Sequence, residues 1–170
     1  MEDFGPEAQA ALRYIQTRGT RIGVHEQPTG ARWTADRRIE VHPRYTQLAP
    51  ADPYAISLII HEVCHLQQGM LTALSVYGEM EAWQMQFHFL HAQLGRYHED
   101  SRREAVVSEL MSLALGWDRT ILERARGLMR DYAGMRYRVD LLTLYPLPRE
   151  ILFQVTHHQP RGGSRRVHPS

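Results

Sequence analysis

DPYAISLIIHEVCHLQQG, residues 52 to 69, is the stretch on which the fold turns. Asp52 can accept the unpaired N–H groups of a first helical turn, Pro53 suits the first helical position, and Gly69 stops the run, so a helix is predicted to about Gln68. Tyr54 to Ile60 is almost wholly apolar, which predicts a buried helix. Its continuation is His61-Glu62-Val63-Cys64-His65. Two histidines four apart lie one turn from each other on one helix face, so both imidazoles can reach a single ion. Glu62 sits about 60° around from His65, close enough to hold a metal-bound water without ligating the metal. In that division of labour the ion lowers the pKa of its water from 15.7 toward about 7 and polarises a carbonyl, and the carboxylate takes the proton.

Working outward toward the N-terminus, Ala8, Ala11, Leu12 and Ile15 recur at helical spacing between Pro6 and Arg18, with Gly19 behind them. Three short strands are predicted at Thr20–His25, Ala31–Thr34 and Arg38–His42. In the third, Ile39 and Val41 face one side and Arg38, Glu40 and His42 the other. Connections this short imply a small antiparallel sheet. Toward the C-terminus, helices are predicted from about Val76 to Leu94, from Ser101 with Glu104 as a capping box to Leu115, and from Asp118 to about Ala133. A short element follows from Arg149 to Val155. The expected fold class is α+β, one domain over residues 1–156, with a core at about 20–95 and a helical extension at about 100–156. Residues 157–170 read as a mobile tail rich in Arg, His, Pro and Gly.

A zinc site with two histidines needs a third protein ligand and an open position for water. The candidates are Glu79 and Glu81 on the next predicted helix. They project about 200° apart, so only one can point at an ion, and the spacing does not choose between them. His88, His91, His98, His157, His158 and His168 read as surface or tail residues. Cys64 points away from the histidine pair and reads as a small packing group, and Met70, Met80 and Met85 as core filler.

Twenty basic and nineteen acidic residues give a net charge of +1, without the lopsided charge of a nucleic-acid binder. Every basic residue is Arg; the absence of Lys excludes a Schiff-base or Walker-type lysine, and the absence of Asn excludes a catalytic carboxamide from that residue. The single cysteine cannot form an internal disulfide. The acidic N-terminus has no signal-peptide character and no apolar run approaches membrane-spanning length, so a cytoplasmic chain with no membrane partner is expected.

At His61, Glu62, His65 and the glutamates of the following helix, the chain resembles the HExxH zinc metallopeptidases of the gluzincin type, and among them the short ImmA/IrrE-like peptidase domains. The resemblance covers about Thr20 to Leu94. It implies a zincin-like core of helix, small sheet, motif helix and glutamate helix, with Zn2+ held by His61, His65 and a glutamate. In that group the ligand glutamate commonly precedes an alanine, as Glu81-Ala82 does, so the resemblance implies Glu81 as ligand and Glu79 as its neighbour in support. It also implies Glu62 as general base, a peptide or protein substrate, and Arg38 through His42 as the edge along which an extended peptide lies. Tyr132, Arg136 and Tyr137 are of the right types to meet an oxyanion. The alternative reading is a non-catalytic, metal-bound peptidase-like module for binding or structure. A di-iron bundle would need two Glu-x-x-His pieces, and Glu62 to His65 is the only one.

Overall fold

The computed structural model describes residues 4–47, 52–134 and 137–157. The predicted tail from 158 onward and Arg136 lie outside them. In chain order the elements are α1 (Pro6–Arg18), β1 (Arg21–Val24), β2 (Ala31–Trp33), β3 (Arg38–Val41), α2 (Pro53–Gln68), α3 (Met70–Ala73), α4 (Val76–Leu94), α5 (Ser101–Ser112), α6 (Arg119–Ala133) and α7 (Leu147–His157). The class is α+β, as expected.

Helix ends follow local chemistry. Asp52 Oδ1 accepts from the N–H groups of Tyr54 and Ala55 at 2.9 and 3.2 Å, which satisfies two otherwise unpaired donors at the start of α2. Ser75 caps α4 and Asp118 caps α6 in the same way. The α5 start differs from the reading given above. Asp100, rather than Ser101, is the cap, and the Glu104 carboxylate reaches back to the N–H groups of Tyr97 and His98. The helix also ends at Ser112, short of Leu115.

The sheet is mixed, which corrects the antiparallel expectation. Its order is β1-β3-β2, with β1 parallel and β2 antiparallel to β3. The β2–β3 link is a tight turn in which Arg37 takes a left-handed conformation and Thr34 Oγ1 accepts the Arg38 N–H. The β1–β2 link is no hairpin. The His25 N–H bonds the Val41 carbonyl, the Gln27 side-chain amide bonds the Glu40 carbonyl, and Gly30 accepts from the His42 N–H. The segment thus wraps around the end of β3, and β2 returns on its far side.

Ile39 and Val41 of β3 and Ala31 of β2 are buried, as the alternation in β3 predicts, and the sheet lies against α2. Ala8 and Ala11 bring α1 onto the same core, and the Tyr14 hydroxyl donates to the Leu66 carbonyl of α2. α4 packs along α2, and Val107, Leu110, Leu122, Leu128 and Met129 carry the core on into α5 and α6. Among the described residues no helix is long and apolar enough to cross a membrane.

Candidate metal centre

The buried half of α2 contains His61, Glu62 and His65, all nearly inaccessible to solvent. The two imidazoles meet edge to face, with their Nε2 atoms 3.0 Å apart. From α4 the Glu79 carboxylate comes within 3.7 Å of His61 Nε2 and 3.6 Å of His65 Nε2. A four-coordinate ion with ligands about 2.0–2.1 Å away sets ligand–ligand edges of about 3.3 Å, so this donor set fits such an ion. Among the described residues His61, His65 and Glu79 are the three that could hold a metal.

The carboxylate brought to the pair is therefore Glu79, and the expected Glu81 is not. Two contacts fix the rotation of α4 that decides this. Ser75 Oγ accepts the Gly78 N–H at 3.0 Å, and Gly78 lies flush against the Thr72 carbonyl of α3. Glu79, Trp83, Gln86 and Leu90, which recur every three or four residues, then share a face, and the last three of them line a cleft in front of α2.

Glu81 stands behind the centre. Gln68 Nε2 donates to the Glu81 carboxylate and to the Gly78 carbonyl, each at 2.9 Å. With the amide nitrogen between two acceptors, Gln68 Oε1 is the atom facing His65 Nδ1, at 3.1 Å. That oxygen can only accept, so the His65 proton sits on Nδ1 and the Nε2 lone pair is directed at the centre.

Burial shapes the titration of the group. It lowers the His61 pKa well below the usual histidine value, with His65 adding to the effect, so the ring is neutral, the form that ligates. The His61 Nδ1 atom is buried without a hydrogen bond of ordinary geometry. Glu62 is pushed up to about 8, first by burial and then by Glu79, partly offset by the Trp33 N–H. Glu79 is raised by burial and held down by His65, Tyr137 and Trp83. Cys64 is buried, and its thiol is pushed up to about 12 by burial and then by Glu81 and Glu79; it is a neutral packing group, as the sequence indicated.

The cleft, of about 380 Å3, has Glu62 and His61 at its floor and Gly30 and Ala31 on one wall. β3, the expected peptide edge, is paired on both sides and has no free edge. Of the two edge strands, β2 is the one that contributes a residue, Ala31, to the cleft. Tyr132 and Tyr137 both line the cleft. The Tyr137 hydroxyl is already committed, donating to Glu79 and accepting from the Trp83 indole. His88 pairs with Glu7 on the surface. Gln68 lies three residues beyond His65 and could have been found by that spacing; Tyr137, 58 residues from Glu79, has no local signal.

No family model matches the chain, and no curated protein or solved structure matches it.

Proposed function

We propose that the chain is a zinc metallopeptidase in which His61, His65 and Glu79 hold the ion and Glu62 is the general base. The observation that carries the reading is the convergence of two imidazole Nε2 atoms and the Glu79 carboxylate, with His61 of that group and the buried carboxylate of Glu62 beside it on α2 both lining a cleft. A bound zinc ion would supply Lewis acidity toward a carbonyl and acidify a water. The remaining work belongs to the chain. Glu62 takes a proton from the attacking water and returns it to the leaving amine nitrogen, a role open to a buried carboxylate that lines the cleft beside His61. β2, an edge strand of the sheet whose Ala31 lines the cleft, is the strand beside which an extended peptide can lie. Gln68 and Tyr137 hold His65 and Glu79 in place.

The test is metal content and hydrolysis on the purified full chain. About one zinc per chain is expected, lost in His61→Ala and Glu79→Ala and retained in Glu81→Gln, where the amide oxygen can still accept from Gln68. Glu62→Gln should keep zinc and lose peptide hydrolysis. A folded chain that takes up no zinc ends the reading; one that binds zinc with no turnover, indifferent to Glu62→Gln, is a binding module.

A further inference from the structure

Away from the metal centre the cleft follows α2 toward its N-terminus. From Glu62 through Leu58 to Tyr54 is two turns of helix, about 12 Å. Over this distance the walls change from apolar, at Leu58, Phe87 and Leu90, to a group of hydrogen-bond donors: Arg44, Tyr45, Tyr54, His98, Arg103 and Tyr132.

These donors share one corner. The Arg44 guanidinium donates to the Tyr45 hydroxyl at 2.9 Å and lies over that ring. The Arg103 guanidinium sits 5.5 Å from the centre of the Tyr132 ring, and the His98 ring meets that ring edge to face at 5.7 Å. His98 Nδ1 accepts the Asp100 N–H at 2.9 Å, which leaves the ring hydrogen on Nε2 for donation. Arg44 and Arg103 are among the arginines that form no ion pair with a described carboxylate, unlike Arg96 nearby, which pairs with Glu99. Asp100 and Asp131 lie on an adjoining depression that shares Arg103 and Tyr132. Among the described residues the one acidic side chain lining the cleft itself is Glu62, at the opposite end.

We propose that this corner is a carboxylate-binding subsite, which selects peptides carrying an anionic group three to four residues from the bond presented to Glu62. The spacing follows from about 12 Å of cleft and about 3.3–3.6 Å per extended residue. Planar guanidiniums suit a carboxylate, and phenol and imidazole donors can complete its shell. The apolar stretch between takes aliphatic or aromatic side chains. The proposal deepens the peptidase reading and rests on it for the identity of the ligand as a peptide. The carboxylate can come from a chain terminus or from an acidic side chain.

Binding to the zinc-loaded Glu62→Gln chain separates the cases. Three acetylated five-residue peptides of alanine and leucine are titrated calorimetrically: one with a free C-terminus, one amidated, and one amidated with a glutamate near its end. At least one carboxylate form should bind about tenfold more tightly than the neutral amide, and the gap should narrow with added salt. Advantage confined to the free C-terminus identifies the terminal carboxylate, and advantage confined to the glutamate form identifies the side chain. Arg44→Gln and Arg103→Gln together should bring both down to the amide's affinity. Equal binding of all three peptides, or binding of none, overturns the subsite. Wild-type hydrolysis is followed in parallel; a carboxylate preference without turnover removes the peptidase reading and leaves the subsite standing.

Discussion

The Tyr137 hydroxyl donates to the Glu79 carboxylate while accepting from the Trp83 indole 2.7 Å away. One phenol thereby ties the segment after α6 to α4 at the residue that faces the histidine pair. Burial and the neighbouring Glu79 hold its pKa well above the usual phenol value, so it stays a donor. Tyr137→Phe leaves the ring and strips both bonds, stranding the buried indole N–H. The expected cost is about 2 kcal/mol by urea unfolding, with zinc affinity reduced about tenfold because Glu79 loses its anchor. A stability loss with zinc affinity intact would mean that the hydroxyl serves packing alone.

Gly78 is where α4 touches α3. A Cβ there would lie 2.1 Å from the Thr72 carbonyl oxygen and 2.8 Å from its carbon. That oxygen cannot readily yield, since it accepts from both the N–H and the hydroxyl of Ser75. Gly78→Ala should therefore cost about 3 kcal/mol or more and, by displacing the adjacent Glu79, weaken zinc uptake. Gly127, inside α6 with nothing within 4 Å of its Cβ position, is the control: Gly127→Ala should stabilise by about 0.5–1 kcal/mol. Thermal melts and a zinc titration on both variants check the contrast.

What was legible in the sequence was what local chemistry decides. The α2 cap, the motif helix and the α4 boundaries follow from residues a few positions apart, and so does the meeting of His61 and His65. The choice between Glu79 and Glu81 was not legible, because it depends on how α4 is rotated, and that rotation is set by α3, a four-residue helix too short to show a periodicity. Resemblance favoured Glu81 for the alanine that follows it, a pattern blind to the Gly78 contact. The sheet was misjudged for a related reason. Loop length limits which strands can pair, yet the Gln27 side chain and the Gly30 carbonyl carry the chain past the end of β3 instead of back along β1.

Glu62 makes a pH prediction for the zinc-free chain. Its carboxyl, ordinarily near 4.5, is raised to about 8 by burial and then by Glu79. Below about pH 4.5 native and unfolded chains both carry the proton, and the residue adds no pH dependence. Between there and pH 8 the unfolded chain releases a proton that the native chain keeps, so stability falls as pH rises; above 8 the loss is complete. His61 acts in the opposite sense below its ordinary 6.5, but it is common to wild type and Glu62→Gln and cancels between them. In chelator, Glu62→Gln should therefore gain over wild type as pH goes from 5 to 8, by on the order of 3 kcal/mol at the upper end. Melts of both chains at pH 5, 6.5 and 8 measure this, and a constant difference would show that Glu62 is ionised throughout. Saturating zinc should flatten the curve, since a neighbouring cation favours the carboxylate and works against the burial and the Glu79 charge that raise its pKa.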